Sequence, residues 1–134
     1  MQHALQWVGI YVGLNLLLNL FLAVRVSSAR VRSEIMTGEG EEGSPLYKAS
    51  RAHILNVEYT PIGLAGLITL YILSASIFVL HAVGILLTLG RLLHALGLMQ
   101  TANTSPMRMV GTLATWAALL IAALGCLAYG LRLV

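Results

Sequence analysis

The sequence predicts an all-α membrane protein, a bundle of four transmembrane helices, and three observations carry that expectation. Hydrophobic residues make up 58% of the 134 positions and charged residues only 10%, against about 25% charged in soluble domains. A soluble chain this short could not hide so much apolar surface in one core. The apolar residues also fall into long blocks near the ~20 residues needed to cross a hydrocarbon layer. The charges, finally, gather between blocks rather than spreading along them. Net charge is a modest +3 with no basic run interleaved with aromatics, so no nucleic acid partner is expected. The single cysteine, Cys126, rules out a disulfide framework within the chain and a cysteine redox pair. It reads as a small apolar packing residue.

The first charge-free stretch runs from Ala4 to Val24, 21 residues. Its length and its lack of a basic start distinguish it from a signal peptide, and the first span is placed at about 4–26. Residues 27–47 form a charged loop, with Arg30, Arg32, Glu34, Glu39, Glu41 and Glu42. Within it, Thr37–Pro45 (TGEGEEGSP) is rich in glycine and acids and reads as solvated loop. Residues 52–90 then hold 39 positions with one formal charge, Glu58. That is room for two spans, about 48–74 and 77–99, turning at Ser74-Ala75-Ser76. A short polar segment, Gln100–Pro106, precedes the fourth span at about 107–131. The loops on one side carry nearly all the Arg and Lys, so the positive-inside rule places them in the cytoplasm and both termini opposite. In the first span Gly9 and Gly13 form a Gly-x-x-x-Gly pair, and Asn15 and Asn19 share a face. The pattern suits a close helix contact with hydrogen bonds across it, although small residues are common in membrane helices anyway.

Ionisable residues inside a membrane are functional candidates because a charge there is costly unless it faces protein or water. Arg51 and Glu58 lie seven apart on the second span, with Tyr59 beside Glu58 and Pro61 soon after. Arg91 and His94 are three apart on the third. Arg108 opens the fourth, with Thr112 and Thr115 on roughly the same face, and Arg30 sits just past the first. Arg91 and Arg108 also suit interfacial anchors that snorkel to phosphate. Glu58 could be half of a structural Arg–Glu pair, and His53, His81 and His94 could be packed core histidines. No cluster has metal-ligand spacing, no order of Ser, His and Asp suggests a triad, and no phosphate loop or dinucleotide fingerprint is present. Several cations and one carboxylate at a common depth match a small zwitterion with carboxylates and an ammonium group.

The segment Arg51-Ala52-His53-Ile54-Leu55-Asn56-Val57-Glu58-Tyr59-Thr60-Pro61 resembles the second-helix signature of the membrane-associated proteins in eicosanoid and glutathione metabolism, the MAPEG family. Gly90-Arg91-Leu92-Leu93-His94 resembles the third-helix motif, Arg108 eight residues before Trp116 resembles the opening of the fourth helix, and Ser28-Ala29-Arg30 resembles the end of the first in the leukotriene-synthase branch. The likeness covers nearly the whole chain. It implies a homotrimer in a bacterial inner membrane or the endoplasmic reticulum, with glutathione as co-substrate between neighbouring subunits and no metal. The resemblance assigns Arg30, Arg51, Asn56, Glu58, Tyr59, Arg91 and His94 to glutathione binding and Arg108 to stabilising its thiolate. The second substrate would be a lipophilic electrophile or lipid peroxide arriving from the bilayer.

Two positions depart from the pattern: Leu55 stands where the motif places Asn, with Asn56 one residue late, and Leu98 stands where some members carry a second Tyr. One residue is about 100° on a helix, which turns Asn56 toward His53 rather than Arg51. Either the helix adjusts locally or the amide has left its role. A non-catalytic lipid- or glutathione-binding protein of the same fold is therefore the alternative. A small four-span multidrug exporter is a third reading, but such exporters carry their essential Glu in the first span, which here has no acid.

Overall fold

A computed structural model describes residues 2–133 as four helices and no strand: α1 (Gln2–Ser33), α2 (Pro45–Ile72), α3 (Ile77–Gln100) and α4 (Pro106–Gly130). Three of the four are both long and apolar enough to cross a membrane: α1, α3 and α4. The other, α2, has 28 residues, about 42 Å at 1.5 Å per residue. Its first half carries Lys48, Arg51, His53, Asn56 and Glu58, and this is the helix that brings polar groups into the bundle.

Local chemistry fixes the boundaries. Ser44 caps α2 by accepting from the Tyr47 N–H at 3.1 Å, and Ser105 caps α4 by accepting from the Arg108 N–H at 3.2 Å. Each Ser is followed by a Pro at the first helical position, where a missing N–H costs nothing. Glu34, Ser74 and Arg132 end α1, α2 and α4 in the left-handed conformation, with φ of 56°, 59° and 55°. The 34–44 loop turns on Gly38, Gly40 and Gly43, all at positive φ, where glycine alone is unstrained. Residues 73–76 make the expected α2–α3 turn. The first helix, however, runs on through Arg30 to Ser33, so Arg30 lies on α1 rather than beyond it. At about 48 Å, α1 exceeds the ~30 Å hydrocarbon layer and carries its last turns into the head-group region.

The long helices run alternately up and down. The tightest pair is α3 with α4, α2 touches all three others, and α1 packs on α2 and α3 without reaching α4. Two apolar cores hold the bundle at its ends. Val8 and Tyr11 of α1, Leu67 and Leu70 of α2, Leu80 and Val83 of α3, and Ala122 of α4 form the one near the α2–α3 turn. Leu22, Ala52, Ala95 and Leu98 form the other, near the charged loop. Between them, on α1, α2 and α3, lies a polar layer: Asn15 and Asn19, Asn56 and Thr60, and Thr88 and Arg91. Around the outside, Leu14, Leu17, Leu20 and Phe21 of α1 and Leu113, Leu120 and Leu124 of α4 are exposed, the pattern expected where lipid is the solvent.

The Asn15 and Asn19 expectation is met across helices: Asn15 Nδ2 donates to Thr88 Oγ1 at 2.8 Å, and Asn19 Oδ1 accepts from Asn56. The Gly9 and Gly13 pair makes no close contact within the subunit, since a Cβ at either would meet nothing within 4 Å. The inward face of α1 is Val8, Tyr11, Asn15 and Leu22, which leaves both glycines turned away. Cys126 is partly buried and packs against the core near the α2–α3 turn, its Sγ 3.8 Å from the Gly66 carbonyl.

Candidate functional site

The polar layer centres on Asn56. It is fully buried, with 0% exposure, and α2 is continuous α-helix through Leu55 and Asn56, so the helix has not adjusted to return the amide to the Arg51 face. Asn56 instead bonds inward to three partners. Its Oδ1 accepts from Arg91 Nε at 3.3 Å and from Thr60 Oγ1 at 3.0 Å, while its Nδ2 donates to Asn19 Oδ1 at 3.3 Å. One side chain thereby ties α1, α2 and α3 together at mid-bundle. The Arg91 guanidinium, 2% exposed, also lies over the Tyr59 ring at 5.4 Å from its centroid, a cation–π contact that is strongest when desolvated. Its Nη2 is buried without a hydrogen-bond partner, and so is Nδ1 of His94, one turn further along α3. Buried polar atoms left open in this way call for an acceptor or an explanation.

Close approach of α3 and α4 places Arg108 near this layer. A Cβ on Gly111 would collide with the His94 backbone nitrogen, and one on Gly97 would fall 2.8 Å from the Arg108 nitrogen. Arg108 is half-buried, and its Nη1 donates to the Ala102 carbonyl at 3.1 Å, clasping the α3–α4 loop. Thr112 and Thr115, read from sequence as companions of Arg108, both spend their hydroxyls on their own helix. They donate to the carbonyls of Arg108 and Gly111 at 3.0 and 2.8 Å.

The remaining candidates face outward. Glu58 is exposed and Arg51 partly exposed on the outer side of α2. Among the described residues, the ion pair that Arg51 makes is with Glu39 of the charged loop, at 3.9 Å, so the structural Arg51–Glu58 pair does not form within the subunit. Arg30 donates to the Met36 carbonyl at 3.0 Å, bracing the same loop. Thus Asn56, Tyr59, Arg91 and His94 are assembled inside the subunit, while Arg30, Arg51 and Glu58 lie on its surface. Of the other histidines, His81 sits 2.7 Å from Tyr11 Oη and 5.0 Å edge-on from Trp7, a packing role.

The family model for the MAPEG family matches residues 8–128, nearly the whole chain. The chain belongs to the MAPEG family. Two relatives of the same description, "Inner membrane protein YecN" from Escherichia coli strain K12 and from Escherichia coli O6:H1, are each 32% identical over 120 residues, covering 90% of this chain and 89% of theirs. The membership agrees with the four-helix architecture and leaves the exporter reading without support. Against the MAPEG pattern quoted above, the informative departure is the late Asn, and the structure gives its consequence: Asn56 holds Arg91. Sequence reasoning assigned neither Asn19 nor Thr60 to the site. The available signal was an Asn facing inward from the first span at the depth of Asn56 and Arg91.

Proposed function

We propose that this MAPEG protein is a glutathione-dependent membrane transferase or peroxidase that activates the glutathione thiol and conjugates it to, or with it reduces, a lipophilic electrophile. The observation that carries the reading is the division of the candidate residues. Arg91 and His94 present open polar atoms from the interior, while Glu58 and Arg51 stand on the outer face of α2 at comparable depth. A carboxylate exposed at membrane depth is costly on a solitary subunit, so the site is complete only when a second copy covers α2, as in a homotrimer. A tripeptide with two carboxylates, an ammonium group and a thiol then supplies an ammonium for Glu58 and a carboxylate that competes with Glu39 for Arg51. Arg51 and Glu58 hold its charged ends, Tyr59, Arg91 and His94 line its bed, and Arg30 approaches from the neighbouring α1.

Arg108 is the thiolate-stabilising group in this reading. Arg108 has its backbone N–H held by the Ser105 cap and its Nη1 held by the Ala102 carbonyl. That makes the guanidinium a preorganised donor, and donors of that kind act on charge as it develops. The thiolate, not the thiol, is the nucleophile. Its sulfur attacks the electrophilic carbon and the leaving group departs with the bonding pair. With a lipid peroxide, the sulfur instead attacks the terminal peroxide oxygen and the O–O bond breaks. The lipid alkoxide leaves with the bonding pair and is protonated to an alcohol. A second glutathione thiol attacks the resulting sulfenic acid to give the disulfide and water. The α1–α2 and α3–α4 loops, beside the helix ends that carry Arg30, Arg51 and Arg108, face the cytoplasm and the termini lie opposite, by the distribution of Arg and Lys.

One observation favours a second reading, a non-catalytic binder: the amide expected to hold ligand is engaged within the bundle. Glutathione binding to the purified trimer, followed by conjugation of a generic aryl halide, separates the two. Binding with turnover supports the transferase, binding without turnover supports the binder, and no binding removes both glutathione readings.

A further inference from the structure

A cleft of about 550 Å³ lies away from the polar layer, where the end of α1, the charged loop and the start of α2 meet. Arg25, Arg32, Glu41 and Ser44 line its polar side, and Ile35 and Leu46 its apolar side. We infer that this cleft is a binding site for the anionic phosphate head of a membrane phospholipid.

Depth is the first argument. The charge-free stretch from Ala4 to Val24 is 21 residues, about 31 Å of helix, which matches the ~30 Å hydrocarbon layer. Arg25 therefore emerges at the hydrocarbon boundary. Arg32 is seven residues on, the same face of α1 and about 10 Å further along. The head-group layer on one side of a bilayer is roughly 5–7 Å thick, so the two guanidinium groups bracket it. Arg25 is braced against the Phe21 ring, 5.9 Å from its centroid, which directs the charge toward the membrane rather than into the cytosol.

Charge and wall chemistry are the second. Two Arg oppose one Glu on the lining, and the cleft opens at the positive end of the α2 dipole, where Ser44 already caps the Tyr47 N–H. Guanidinium groups are matched to phosphate oxygens. Ile35, 37% exposed, gives the cleft an apolar wall, which fits glycerol and the first acyl carbons but offers nothing to a free anion. That wall assigns the site to a lipid rather than to soluble phosphate. The inference does not depend on the glutathione reading.

The test is native mass spectrometry of the full-length protein, stripped of lipid in neutral detergent and titrated with phosphatidylglycerol, phosphatidylcholine or inorganic phosphate. One phosphatidylglycerol should be retained per subunit in preference to phosphatidylcholine. Arg25→Gln with Arg32→Gln should lower that retention by roughly 25-fold, since each basic residue near an anionic surface is worth about five-fold. Glu41→Gln should raise it. Equal retention of the two lipids, or no change in the double Gln variant, would overturn the assignment. So would phosphate binding without lipid binding, which would mark a soluble-anion site. Glutathione affinity in the double Gln variant should match wild type, so a failure here leaves the transferase proposal standing.

Discussion

Replacing Asn56 by Leu should destabilise the subunit by about 3 kcal/mol, and the structure says which groups supply that figure. The substitution removes the acceptor of Arg91 Nε and the donor to Asn19 Oδ1, two bonds between helices. Thr60 is spared, because its hydroxyl can fall back on its own helix as Thr112 and Thr115 do. Interhelical hydrogen bonds in membranes average about 0.6 kcal/mol and reach about 1.7, which gives roughly 1–3 kcal/mol for two. A buried cation stripped of its partner adds desolvation cost, which for charged groups exceeds the 1–3 kcal/mol of a neutral one. Arg91 keeps Tyr59, which offsets much of that desolvation cost, so the total stays near the upper end of the hydrogen-bond range, about 3 kcal/mol. Adding Arg91→Met to Asn56→Leu should recover much of the loss, because the stranded charge goes with it. Reversible unfolding in mixed micelles, run as a double-mutant cycle, measures both quantities. Strict additivity, or an Asn56→Leu effect below about 0.5 kcal/mol, would refute the role given to the Asn56–Arg91 bond.

Three further outcomes follow from the proposed site and topology. Arg51→Ala or Glu58→Gln should weaken glutathione binding by about 1.5–3 kcal/mol, the worth of a charge-assisted hydrogen bond; unchanged calorimetric affinity in assembled trimers would leave both as surface charges. Arg108→Ala should lower conjugation at neutral pH by roughly 10²–10³, the effect of losing one preorganised donor, with Arg108→Lys intermediate; a silent Lys variant would mark a snorkelling anchor. Single cysteines at Glu41 and Asn103, in a Cys126→Ala background, should label from the side opposite to one at His3, and mass measurement in detergent should give trimers. Labelling of all three from one side would contradict the topology, and a mass confined to monomers or dimers would contradict the shared site.

Hydropathy made the helices legible because lipid allows a spanning chain few alternatives. The turn at residues 73–76 was equally readable, whereas the Ser44-Pro45 start of α2 was read as loop. The sequence was less informative where composition is mixed. The end of α1 was placed early because the first Arg residues were taken for loop, yet helix is compatible with charge once the chain leaves hydrocarbon. The facing of α2 was legible only in part. Spacing showed that Asn56 had left the Arg51 face, but not that it had turned onto Arg91 and Asn19, since pairing across three helices depends on rotation about each axis. The grouping of Glu58 and Arg51 on the outer face was not readable from spacing alone, because a seven-residue repeat says that residues share a face without saying which.

The central claim, that Arg108 of this protein stabilises the glutathione thiolate, is tested most directly by the ultraviolet absorbance of bound thiolate as pH is raised. In wild type the thiolate band should be present at neutral pH, because a fixed guanidinium beside the sulfur lowers the thiol pKa below that of free glutathione. In Arg108→Ala glutathione should remain bound and the band should appear only at higher pH, toward the ~8.5 of an unperturbed thiol. If the two proteins titrate alike, Arg108 is not the activating group and the account of the chemistry is wrong.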